Sequence, residues 1–128
     1  MAAALDLDVL PGSSAVARLD PGADVPDWAR DGTLSAVVRT ADELTIVCPP
    51  AAIPAGVRSE GPFRALAVRG PLDFALTGIL ASLAAPLAAD GISIFVLSTF
   101  DTDVLLVREH DLAAARASLE RAGHRIDG

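Results

Sequence analysis

Few residues in this chain have the means for covalent chemistry. There is one cysteine, Cys48, and there are two histidines, His110 and His124. A single thiol forms no internal disulfide, and no Cys/His cluster accompanies it, so a structural zinc site is not expected. Cys48 follows the apolar run Leu44-Thr45-Ile46-Val47 and reads as a small buried hydrophobe rather than a reactive thiol. His110 and His124 bracket a helical pattern. Neither lies near a serine in an activating context, so no nucleophile–base pair is assembled. His124, near a helix C-terminus, reads as structural or solvated. Glu109 and Asp111 follow a strand and read as helix-capping acids. Gly70-Pro71 lacks the further glycines and the lysine of a phosphate loop. No catalytic residue, metal or cofactor is expected. What remains is binding chemistry. Thr99 and Asp103 flank a tight turn, which brings a hydroxyl and a carboxylate to one edge. Gly78, early in a helical stretch, would let a ligand approach the backbone closely.

The elements that must position these residues follow from hydropathy patterning. The first half is loop-rich. Ser14 to Leu19 reads as a strand closed by Asp20-Pro21-Gly22. Val25 to Arg30 reads as one or two helical turns with Pro26 at the start, anchored by Trp28. Leu34–Arg39 and Glu43–Val47 read as a hairpin across Thr40-Ala41-Asp42. Pro50, Pro54 and Gly56 leave room for one short helical turn before Val57. The second half is more regular. Phe63–Val68 is a strand. A helix over 72–89 carries Ile79, Leu80, Leu83 and Leu87 on one face, with Asp73 in its first turn and Pro86 bending its last. Ile92–Phe100 and Val104–Val107 are strands. A helix capped by Asp111 presents Leu112, Ala115, Leu119 and Ala122. His124-Arg125-Ile126 adds a last strand.

That order, strand–helix–strand–strand–helix–strand, is the ferredoxin-like βαββαβ unit of an α+β protein. The first half repeats it in a degenerate form, with weak helices. The expected division is therefore an N-terminal module over 1–60 and a C-terminal module over 61–128. A unit of about 60 residues buries only about 60% of its unfolded surface, so two units, or a dimer of them, would share a core.

Composition narrows the partners. The chain has 128 residues, 52% of them hydrophobic and 21% charged, with a net charge of −7. All ten basic residues are arginine. An acidic chain is a poor match for nucleic acid or an anionic bilayer. The uncharged run from Phe74 to Ala89 falls short of the roughly 20 residues a bilayer span needs. The start carries early acids and no basic region, unlike a secretory signal, so a cytoplasmic location is expected.

Two segments carry a family resemblance. One runs Gly70-Pro71-Leu72-Asp73-Phe74-Ala75-Leu76-Thr77-Gly78-Ile79-Leu80-Ala81-Ser82-Leu83. The other runs from Gly91 through Ile92-Ser93-Ile94-Phe95 and Ser98-Thr99-Phe100-Asp101-Thr102-Asp103 to Leu106-Val107-Arg108-Glu109. They resemble the ACT-domain family, and within it the tandem-ACT subgroup that includes small bacterial proteins and the CASTOR arginine sensors. Glu43 to Pro49 is similar to the end of that subgroup's first module. The resemblance is strongest from 60 to 112. It implies a non-catalytic regulatory sensor that binds a free amino acid between ACT modules. By position, it implies ligand-facing roles for Gly78, Thr99, Phe100 and Asp103 on one module, with Ser82 and Leu83 contributed by the facing module's helix. The CASTOR sensors join two such halves in one chain. This chain matches one half, so a complete site of that kind implies a homodimer. Position 104 is Val where many relatives carry an aromatic residue, which alters pocket size.

A zwitterionic amino acid suits these positions. Its carboxylate needs N–H donors, which a helix start offers. Its ammonium needs acceptors, which Asp103 and Thr99 offer. Each residue also has a purely structural reading. Asp101-Thr102-Asp103 is ordinary turn chemistry. Gly78 serves close helix packing, Ser82 bonds back to a helix carbonyl, and Phe100 fills the core. The alternative function is a protein-interaction or dimerisation module with no ligand.

Overall fold

The computed structural model describes residues 4–73 and 77–128. The chain divides into two units, 12–63 in one and 1–11 with 64–128 in the other.

Within residues 12–63, strands β2 (Ser14–Leu19), β3 (Ala36–Arg39), β4 (Leu44–Cys48) and the first part of β5 (Arg58–Val68) pair antiparallel in the order β3–β4–β2–β5. The β3–β4 connection closes where Thr40 N–H donates to the Glu43 carbonyl. The Thr40 hydroxyl accepts from the Asp42 and Glu43 amides, a side-chain-stabilised turn. The core holds Ala17, Ala29, Leu44, Ile46 and Cys48, with Trp28 half-buried against it. Burial, and the nearby charge of Asp31, push the Cys48 thiol up from its ordinary range, which matches its reading as an inert hydrophobe. The expected helical turns are 3₁₀ turns at Asp27–Arg30 and Pro50–Ala52, and no α-helix is present among the described residues of this unit. Pro54 has no N–H to give the Pro50 carbonyl, so the second turn cannot extend into an α-helix.

The other unit contains β1 (Asp6–Val9), the second part of β5, α1 (Ile79–Ala89), β6 (Ile94–Ser98), β7 (Asp103–Arg108), α2 (Leu112–Arg121) and β8 (Arg125–Asp127). From β5 onward this is the expected βαββαβ order, an α+β arrangement with a mixed sheet and two helices. The strand order is β6–β7–β5–β1–β8. Strand β1 therefore lies between β5 and β8, antiparallel to the first (Leu7 opposite Val68) and parallel to the second (Leu7 opposite Ile126). The expected boundary at residue 60 falls inside β5, and the expected C-terminal module omits this strand. Alternation of Leu5, Leu7 and Val9 with Asp6 and Asp8 explains it: Leu7 is fully buried while the aspartates face outward.

Those aspartates are paired. Asp8 accepts two hydrogen bonds from Arg69, which also reaches Asp127 Oδ2 at 2.7 Å. Arg125 Nε lies 3.2 Å from Asp6. The core contains Leu66, Val68, Leu83, Leu87, Leu105, Val107, Ala115, Leu119 and Ile126. Of the expected α1 face, Leu83 and Leu87 are buried, Ile79 is half-buried and Leu80 is exposed.

Helix α1 starts at Ile79, seven residues later than expected. Gly78 precedes it with φ +78°, a left-handed conformation that no helix interior contains. Asp73 is consequently outside the first turn, and the part of the expected helix at 74–76 lies outside the described residues. Asp111 occupies the N-cap position of α2 but makes no side-chain cap bond, because a 3₁₀ turn at Glu109–Asp111 already runs into the helix.

The Arg69 hydrogen bond holds the Asp8 carboxyl below its ordinary value of 3.8. A depressed carboxyl contributes stability that is complete above that value and is lost as pH falls through the lower, folded one. Arg69→Gln should therefore flatten the fall in melting temperature below pH 3.8. An acid limb that is unchanged in the variant would show that the pair contributes nothing measurable.

Candidate functional site

The turn between β6 and β7 is built from its own side chains. Thr99 N–H donates to the Thr102 carbonyl at 2.8 Å. The Thr99 hydroxyl donates to the same carbonyl at 3.1 Å and accepts from the Thr102 N–H at 3.1 Å. A hydroxyl has one donor and two acceptor positions, so one acceptor position on Thr99 remains. The turn is docked on the segment leaving β5. Thr102 Oγ1 donates to the Val68 carbonyl at 2.6 Å, and Leu72 N–H donates to the Asp101 carbonyl at 2.7 Å. Gly70 permits that approach: a Cβ there would sit 3.1 Å from the Asp101 carbonyl oxygen.

Between this turn, the 72–73 segment and the start of α1 lies an open pocket of about 220 Å³, lined by Leu72, Asp73, Ile79, Ser98, Thr99, Phe100, Asp101, Thr102 and Asp103. Three carboxylates and no cationic side chain line it. Asp103 is oriented by Ser98, whose hydroxyl donates to Oδ1 at 2.7 Å. The two residues are directly opposite in the β6–β7 ladder. On the other wall, α1 begins without a side-chain cap. The first N–H groups of a helix lack intrahelical acceptors, so this end favours an anion. A hydrogen-bond acceptor and a helix start thus border one pocket of small-molecule size.

Of the expected site residues, Thr99, Phe100 and Asp103 line the pocket, and Gly78 immediately precedes Ile79 on its wall. Phe100 is 82% exposed, contrary to its reading as core. Thr99 acts first as the turn's clip. Ser82 lies further along α1, where its hydroxyl donates to the Ile79 carbonyl at 2.8 Å, the back-bond expected of a helical serine. Leu83 is 0% exposed and belongs to the core, so its side chain is not on the surface of this unit. Reasoning from sequence overlooked Ser98, Leu72, Ile79, Asp101 and Thr102 as pocket residues. Ser98 was within reach, since the hairpin register sets it opposite Asp103. Leu72 was not, since its place depends on contact with Asp101, in a turn remote in sequence. Among the described residues, no group of three or more His, Cys, Asp or Glu could hold a metal ion. No helix among them is long and apolar enough to cross a membrane.

Comparison with known proteins agrees with this architecture. The ACT domain family model matches residues 58–121, half of the chain, and a second model, described as an N-terminal domain, matches residues 12–56. The chain belongs to the ACT domain family. It is similar to a structural-genomics protein of Agobacterium tumefaciens, with 42% identity, a TM-score of 0.93, and coverage of 98% of this chain and 93% of that one. A Vibrio cholerae protein of unknown function shares 20% identity at a TM-score of 0.76, covering 93% of this chain and 90% of that one. The regulatory subunit of aspartate kinase from Thermus flavus shares 11% identity at a TM-score of 0.59, covering 94% of this chain and 97% of that one. The last two likenesses are of fold alone.

Thr99→Val removes two side-chain hydrogen bonds from the turn, at about 0.5–1.5 kcal/mol each. Urea unfolding should show a loss of about 1–3 kcal/mol. An unchanged midpoint would mean that backbone pairing alone holds the turn.

Proposed function

We propose that this protein is a non-catalytic regulatory sensor that holds a free amino acid in the pocket at the β6–β7 turn. The observation that carries the reading is the pairing of Asp103, oriented by Ser98, with the uncapped start of α1 across one small pocket. The ligand's ammonium would be met by the Asp103 carboxylate. Its carboxylate would be met by the first N–H groups of α1. Charge-assisted bonds of this kind contribute about 1.5–3 kcal/mol each. The ACT family membership and the likeness to a kinase regulatory subunit support a regulatory role rather than a reaction.

The pocket is open, and Phe100 on its rim is an exposed large hydrophobic, as is Leu80, which follows the lining residue Ile79 in α1. We read that apolar rim as the place where a second copy completes the site, making the working form a homodimer. Residues 12–63 are read as a degenerate companion module in which 3₁₀ turns replace helices. Ligand at the interface would favour one dimer geometry, which a partner protein then reads. Location in the cytoplasm belongs to the same proposal.

A ligand present at 100 times its dissociation constant stabilises the folded state by about 2.7 kcal/mol. Thermal melting with each of the twenty amino acids at millimolar concentration should identify one or a few that raise the melting temperature by several degrees. Asp103→Asn should abolish the shift while leaving the unliganded melting temperature nearly unchanged. If no amino acid produces a shift, and calorimetry agrees, the sensor reading fails. In that event, a dimer indifferent to Asp103→Ala would identify a ligand-free interaction module.

A further inference from the structure

We propose that His124 is a positioning residue for the pocket: its ring ties the N-terminal strand to α1 and thereby holds Ile79 in the pocket wall. The inference rests on reading that pocket as the ligand site, and it names what controls the wall's position.

His124 is 6% exposed, and both ring nitrogens are engaged. Leu5 N–H, at the entry to β1, donates to Nδ1 at 3.1 Å. Nδ1 therefore carries no proton, and the proton sits on Nε2, which donates to the Ser82 carbonyl at 3.0 Å. That carbonyl has a particular need. In α1 its partner would be the N–H of the residue four positions later, which is Pro86, and proline has none. An interior helix carbonyl left without a donor is costly when buried. The imidazole supplies the donor that the proline withholds.

The connection continues to the pocket. The Ser82 hydroxyl donates to the Ile79 carbonyl, so the residue gripped by His124 in turn grips the first residue of α1. Ile79 lines the pocket. The helix start has no side-chain cap of its own, and Gly78 before it is a backbone position of high freedom. The first turn is thus gripped from behind by Ser82, whose N–H also donates to the Gly78 carbonyl at 3.0 Å. At the other end, Nδ1 of the ring accepts from the Leu5 N–H just before β1, and Arg125 N–H donates to the Leu5 carbonyl at 2.9 Å. The route from β1 to the pocket wall is Leu5, His124, Ser82, Ile79.

Isoleucine-methyl NMR combined with amide hydrogen exchange on the full chain, with no amino acid added, tests this. His124→Ala should move or broaden the Ile79 δ-methyl resonance and leave that of Ile46, in the other unit, in place. Exchange of the β1 amides should become roughly tenfold faster or more, as for a local opening eased by a lost hydrogen bond. Pro86→Ala/His124→Ala returns an N–H to the Ser82 carbonyl. Ile79 should move back toward its wild-type position there while β1 exchange stays fast. An Ile79 resonance unmoved in His124→Ala, or moved and not restored in the double variant, overturns the proposal. Should His124→Ala fail to fold, His124→Asn takes its place, since it keeps an acceptor for the Leu5 N–H. The same Ile79 displacement is expected, and an unmoved Ile79 again overturns the link. A protein that binds no amino acid would sink the site reading and leave this result untouched.

Discussion

The unit that carries the pocket depends on a strand supplied from the far end of the chain. Without β1, neither β5 nor β8 has a partner on that side, and two rows of backbone N–H and C=O groups lose their bonds. Leu7 fills the core between Val68 and Ile126, and the outward aspartates bind Arg69 and Arg125. These ion pairs are exposed, and each contributes little. Arg69 bridges Asp8 and Asp127 on neighbouring strands. Burial of Leu7 sets the register, since a one-residue slip would turn it outward, and the charges add to it.

The pocket is assembled from the opposite kind of element, a short turn that satisfies itself. Thr99 and Thr102 close the loop with three hydrogen bonds, and Thr102 then fastens it to β5. A turn so constrained offers a ligand fixed dipoles rather than flexible ones, which reduces the ordering cost of binding. The half-buried carboxylate of Asp103, held by the Ser98 hydroxyl, and the uncapped helix start border the pocket once these bonds are made.

Much of this was legible in the chain itself. Apolar runs, with some alternation in β2, and bounding turn residues placed β2, β4, β7 and β8 to within about a residue or two. The βαββαβ order was visible because each element of the second half is strongly patterned. What escaped has physical causes. Leu5 to Leu10 alternates clearly, yet a terminal strand gains its meaning only from β5 and β8, dozens of residues away. Helix α1 looked longer because Phe74 to Ala89 is an uninterrupted uncharged run, and hydropathy alone does not mark where Gly78 turns left-handed. In the site, Asp103 and Thr99 were legible as turn residues. The Thr99 hydroxyl closes its own turn through local bonds to Thr102, whereas the outward face of Phe100 is a tertiary outcome. His124 was readable as structural, but the reason for it, a carbonyl orphaned by Pro86 in another helix, was not.

The central claim is that the β6–β7 turn and the start of α1 together receive a free amino acid. The most direct measurement is an amide and methyl NMR titration of the wild-type protein with the amino acids one at a time. At least one should produce saturable shifts concentrated at 72–73, 78–79 and 98–103. Saturable shifts confined to other parts of the chain, or none with any amino acid, would contradict it.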